Sequence, residues 1–143
     1  MKQIKFFVMA LACLMMVAIN AKADDRPVPV QSLPAAAHKF VATYFPGTTI
    51  VYAAKDDGKY ETTLSNGAKV DFTKKGIWDK VDCHTVAVPA ALVPDGIKAY
   101  VKATFPNTAI TKIDKERYGY EIELSNDIDL KFNHAGALIA FDD

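Results

Sequence analysis

The residues able to do acid–base, thiol or metal chemistry are few and scattered. The three histidines are His38, His84 and His134. No two stand at a metal-ligating spacing, and no helix carries histidines paired around a glutamate. They read as surface histidines. Cys83 and His84 are adjacent, which suggests a thiol nucleophile beside its base. Neighbours on a strand point to opposite faces, so the two cannot readily share a proton. Cys83 is expected to be a packing residue, as most lone cysteines are.

Carboxylates are the other candidates. Glu121 and Glu123 share one face of a candidate strand, and Glu61 holds the equivalent place in the first half of the chain. Paired carboxylates do acid–base work when a cleft encloses them. On an open sheet, interleaved with Lys69 and Lys131, they are solvated instead. Asp24-Asp25 and Asp142-Asp143 read as loose acidic tails, with weak calcium binding there as the alternative reading, although the spacing of a calcium loop is absent. A G-x-S-x-G elbow, a phosphate-binding glycine loop and a dinucleotide fingerprint are also missing. The expectation is a non-enzymatic protein with no cofactor and no metal.

Trp78 is the only tryptophan. Parity along 77–82 puts it on one face with Lys80 and Asp82, with Ile77 and Val81 on the other. It is therefore expected on an open sheet face, near Glu61 and Asp71. Exposed Trp is enriched where partners bind. Two other readings stay open. Trp78 packs flat over neighbouring strands, or its strand is shifted by one residue. Leu138 at the matching position of the second half fits a structural apolar role.

The elements that position these residues follow from an internal repeat. An offset of 60 residues aligns two halves without a gap. Val28-Pro29 matches Val88-Pro89, Phe45-Pro46 matches Phe105-Pro106, and Tyr60-Glu61 matches Tyr120-Glu121. Leu64-Ser65-Asn66 matches Leu124-Ser125-Asn126, and Gly76 matches Gly136. Seventeen positions are identical over the 56 from Val28 to Cys83. In each half a proline, Pro34 or Pro94, opens a helix. Ala37, Phe40, Val41, Tyr44 and Phe45 recur at helical spacing, as do Ile97, Tyr100, Val101, Thr104 and Phe105. Pro46 and Pro106 stop the helices.

Beyond each helix the period changes to two. Strands are expected at 49–55, 59–64, 68–73 and 77–82. The turns between them are Asp57-Gly58, Asn66-Gly67 and Lys75-Gly76. The second half repeats them with Tyr118-Gly119, Asn126-Asp127 and Ala135-Gly136. Short turns force antiparallel neighbours. The predicted fold class is α+β, a tandem repeat of one helix plus a four-stranded meander. The two units are expected to join as one eight-stranded sheet with both helices on one face. The other face is left open and carries Glu61, Lys69, Asp71, Glu121, Glu123 and Lys131.

Composition bounds the function. The chain has 143 residues, is 50% apolar and 24% charged, and balances 17 basic against 17 acidic groups. That excludes a disordered or collagen-like chain. It also argues against a nucleic-acid binder, which needs a basic footprint. Two cysteines cannot build a Cys-rich zinc module.

The N-terminus carries an address. Met1 to Lys5 is a basic start, and Phe6 to Ile19 is an apolar run of 14 residues. Ala21-x-Ala23 fits a signal-peptide cut after Ala23. The run is shorter than the roughly 20 residues that span a bilayer. Leu11-Ala12-Cys13 is a weaker lipid-attachment alternative, because Ala10 stands where a branched apolar residue is wanted. Residues 1–23 are thus read as a signal peptide, 24–83 as the first repeat and 84–143 as the second. The mature chain of 120 residues loses Lys2, Lys5 and Lys22, for a net charge of −3. Cys83 is then its only cysteine, so it has no intrachain disulfide. The expected location is periplasmic or secreted.

These features together resemble the PepSY-like, beta-lactamase-inhibitor-like family of exported bacterial proteins. The Pro-led helix ending Phe-Pro, the Tyr-Glu strand, the late glycine and Gly76-Ile77-Trp78 carry the resemblance over about Val28 to Asp143. It implies the tandem helix-plus-four-strand fold. It also implies similarity to an inhibitor that clamps its enzyme with a concave sheet face and hairpin loops. No inhibitory hairpin is identifiable in this sequence, where Asp57-Gly58 and Asn66-Gly67 read as turns.

The sequence thus predicts an exported binding protein that holds a protein or peptide partner on the open face through Trp78 and the six charged residues. One alternative is an inhibitor of an envelope hydrolase of peptidase or beta-lactamase type. Another is a small-ligand carrier or enzyme with a cleft between the halves.

Overall fold

The computed structural model describes residues 25–142. The signal peptide with its cut after Ala23, the Cys13 alternative, Asp24 and Asp143 lie outside the described residues.

Each half folds from the same local signals. Pro34 is the N-cap of α1 (Ala35–Tyr44), and Pro94 is the N-cap of α2 (Asp95–Thr104). Phe45 and Phe105 close the two helices by donating their backbone N–H to Val41 and Val101. The prolines that follow allow no further turn. Ala37, Phe40 and Val41 of α1 are buried, as are Ile97 and Val101 of α2.

The strands are β1 (Arg26–Pro27), β2 (Ile50–Asp56), β3 (Lys59–Leu64), β4 (Lys69–Phe72), β5 (Trp78–Asp82), β6 (Ile110–Glu116), β7 (Gly119–Leu124), β8 (Asp129–Asn133) and β9 (Leu138–Asp142). They form one antiparallel sheet in chain order. The sheet has nine strands, not the expected eight. The extra one is β1, in which Arg26 and Pro27 pair with Lys55 and Ala54. Two residues show no periodicity, and a proline reads as a break rather than a strand. On an outer edge the missing N–H costs nothing.

The halves join directly, with Lys80, Val81 and Asp82 of β5 opposite Asp114, Ile113 and Lys112 of β6. A row of side chains therefore runs in register across the junction. It comprises Thr62, Val70, Val81, Ile113, Ile122 and Leu130. Thr62 is 2% exposed and the other five are fully buried. The Thr62 hydroxyl is satisfied by donating to the Val70 carbonyl at 2.8 Å. Both helices lie on this face. Phe40 meets Phe72 edge-on at 5.5 Å, and Tyr100 meets Phe132 at 5.4 Å.

The repeated Leu-Ser-Asn has a structural cause. Ser65 Oγ accepts from the Thr49 backbone N–H, and Ser125 Oγ from that of Ala109, each at 3.0 Å. Asn66 and Asn126 accept from the backbone two residues on, closing the turn before the next strand. One turn differs from expectation. The β6–β7 turn is Arg117-Tyr118, one residue before Tyr118-Gly119, because Gly119 already pairs with Glu116 and Asn133.

Candidate functional site

The face opposite the helices is charged. One row runs Glu61, Asp71, Lys80, Asp114, Glu121 and Lys131 across six strands in register. The next runs Thr63, Lys69, Asp82, Lys112, Glu123 and Asp129. The six charged residues singled out from the sequence therefore share one surface. Glu121 and Lys131 approach to 3.9 Å.

Two pairs in the first row set like charges directly opposite each other, Glu61 against Asp71 and Asp114 against Glu121. Such pairs cost stability. Burial raises the Asp114 carboxyl above its ordinary 3.8. Lys80 and Lys112 draw it down, and Glu116 and Glu121 push it up.

Trp78 is not on this face. It pairs with Phe72, its ring lies 6.3 Å from that of Phe40 under α1, and it packs partly buried against the core. Lys115 covers its other side, with Nζ 3.9 Å from the ring centroid. The reason is a β-bulge. Asp71 pairs with Lys80 but Phe72 with Trp78, so Asp79 is an extra residue and the alternation slips by one. Leu138 opposite Phe132 repeats the bulge in the second half. Asp79 instead binds Lys59 at 2.8 Å.

Cys83 is buried, and burial raises its thiol pKa, with Asp82 adding to the shift. His84 places one ring nitrogen 3.0 Å from the Gly67 carbonyl and the other 3.5 Å from the Asp82 carboxylate. His134 places a ring nitrogen 2.8 Å from the Arg117 carbonyl. His38 is exposed on α1.

Within the expected acidic tails, the described residues Asp25 and Asp142 are held in place. Asp142 pairs with Asp129 in β9. Asp25 lies beside Asp56 and Glu61, with one carboxylate oxygen of each within 4.8 Å of the others. Register explains the meeting. Arg26 opposes Lys55, which carries Asp25 towards Asp56, and Glu61 follows on β3 opposite Ala54. Three hard oxygen donors at this separation suit a cation of calcium type. Tyr52 is close by. Burial, then Asp25 and Glu61, hold its hydroxyl pKa above the ordinary 10.0. No sequence motif marks this group, because its members lie just ahead of β1, at the end of β2 and within β3.

Among the described residues, two of the grooves beside the helices each belong to one half. A groove of about 280 Å³ is lined by Val30, His38 and Ile50 among others, and one of about 240 Å³ by Val88, Lys98 and Ile110 among others. Neither lies between the halves, where β5 and β6 pair.

Comparison with known proteins places this helix-backed antiparallel sheet in a known family. The PepSY-like, beta-lactamase-inhibitor-like family model matches residues 18–67 and again 58–140, and the chain belongs to that family. Among solved structures it is similar to a periplasmic protein from Bacteroides thetaiotaomicron described as calcium-regulated. The identity is 36% over 84% of this chain and 98% of the other, with a TM-score of 0.78. A periplasmic protein from Bacteroides vulgatus is 38% identical over 85% and 98%, also at 0.78. A second from the same species, described as of unknown function, is 30% identical over 83% and 99%, again at 0.78. No curated protein matches the chain. Among the described residues no helix is long and apolar enough to cross a membrane.

Proposed function

We propose that this is a non-enzymatic binding protein of the bacterial envelope that holds a partner protein on its open sheet face. The observation that carries the reading is the pair of like-charge contacts, Glu61 with Asp71 and Asp114 with Glu121. Like charges set opposite each other cost stability. Lys80 beside Asp71 and Asp114, and Lys131 beside Glu121, offset part of that cost within the chain, and a partner presenting basic side chains would add to the offset. Natural proteins break local rules of this kind at functional sites. The periplasmic descriptions of the similar structures support the location. The family's inhibitor-like description supports a hydrolase as the partner.

The test is capture from envelope extract by the wild type, by Glu121→Lys/Glu123→Lys and by Lys102→Glu on α2. The expected result is a protein captured by the wild type and Lys102→Glu but lost with the open-face variant. Loss with Lys102→Glu alone contradicts the reading. Assaying the captured protein as a peptidase or beta-lactamase then separates inhibitor from scaffold.

A second reading concerns calcium. The Asp25–Asp56–Glu61 group lies at one end of the same face, and one similar protein is described as calcium-regulated. A calcium ion held there would neutralise the acidic end of the binding surface. Calcium titration by calorimetry should give a saturable signal that Glu61→Gln weakens. An identical titration of both proteins contradicts this reading.

A further inference from the structure

The two outer edges of the sheet are not alike. The outer edge of β2 is covered by β1, and Val28 extends the contact by donating to the Ala53 carbonyl at 3.0 Å. Pro27 and Pro29 lack an N–H there, which blunts that edge. At the other end, β9 has no strand beyond it among the described residues. Its five residues are all exposed, Ile139 at 53% and Phe141 at 62%. Long apolar edges of this kind are templates for pairing.

The chain itself shows what such an edge accepts. The counterpart of β9 is β5, 60 residues earlier, and β6 lies along it. Val81, the counterpart of Phe141, is fully buried there opposite Ile113. Phe141 pairs with Leu130 and so ends the buried row that Val81 sits within. The bulge at Leu138 does not block pairing, since β5 carries the same bulge and still pairs over Lys80–Asp82. Charge points the same way. On β5, Asp82 lies between Lys69 and Lys112. On β9, Asp142 has Asp129 on its inner side, a like charge that a basic residue outside would offset.

We propose that β9 takes an extended strand of a partner protein, antiparallel, with an aliphatic residue opposite Phe141 and a lysine or arginine opposite Asp142. Backbone hydrogen bonds hold the strand and the aliphatic residue completes the buried row, as in other strand-addition complexes.

The probe is a synthetic peptide with the sequence of residues 110–116, Ile-Thr-Lys-Ile-Asp-Lys-Glu, titrated into the isotope-labelled protein. Saturable shifts in 138–142 and β8 are expected, with slowed amide exchange in β9. A peptide with Lys in place of its second Ile should bind about tenfold more weakly, as should the Phe141→Asp protein. The peptide variant leaves the protein untouched, so the comparison stands even if Phe141→Asp folds poorly. Absence of shifts, or equal shifts from both peptides, overturns the proposal. Sedimentation of the protein alone is the second arm. A dimer that Phe141→Asp dissolves would make the occupant a second copy and overturn the partner strand.

Discussion

Lys115 Nζ stands 3.9 Å from the ring centroid of Trp78. Trp78 belongs to the last strand of the first half and Lys115 to the first strand of the second. The contact therefore spans the β5–β6 joint. Phe40 closes the other side of the indole at 6.3 Å. Burial lowers the Lys115 pKa, so the ammonium is kept at a desolvation cost that the ring partly offsets. Trp78→Ala should destabilise by about 2 kcal/mol, less than a fully buried Trp because the side chain is partly exposed. Urea unfolding measures this. Lys115→Met, which keeps the apolar stem, should cost less than about 1 kcal/mol.

Asp114 makes stability depend on pH. Its folded pKa is raised, so the neutral carboxyl is the form that the fold favours. That contribution is fully present below the ordinary value of 3.8 and is lost as pH rises through the folded value. Asp114→Asn should therefore raise the urea midpoint at pH 7 and gain little at pH 3.5. Equal changes at both pH values would contradict this.

Cys83 should be inert in the folded protein. It is 7% exposed and its thiol pKa is raised by burial. A thiol-specific chromogenic reagent at pH 8 should leave Cys83 unmodified in the native protein and label it in denaturant. Rapid native labelling would show an accessible thiol.

Gly119 has no room for a side chain. Its φ is +150°, and a Cβ there would lie 2.1 Å from the Phe132 carbonyl oxygen, which is backbone and cannot yield cheaply. Gly119→Ala should cost about 3 kcal/mol or more. Gly58→Ala, in the open at φ +81°, should cost about 1 kcal/mol. Thermal unfolding of the two variants ranks them.

Most of the fold was legible because both helices and all strands but β1 fall into two copies of one pattern. Phe-Pro ends both helices, and Ser65 and Ser125 make the same backbone contacts. The charged face followed from period two, which held along β3, β4, β7 and β8. Period two failed at Trp78, because one bulged residue turns a strand over and leaves no mark in composition. β1 was missed because two residues carry no pattern. The Asp25–Asp56–Glu61 group was missed because it exists only once β1, β2 and β3 are paired. The histidines depart from the repeat because they serve single contacts: His84 and His134 each fasten a different turn.

Carboxyl footprinting of the protein with and without its captured partner tests the binding face most directly. Modification of Glu61, Asp71, Glu121 and Glu123 should fall when the partner is bound, while Asp95 on α2 stays reactive. Protection of Asp95 with the four open-face carboxylates unchanged would contradict the open sheet as the binding surface.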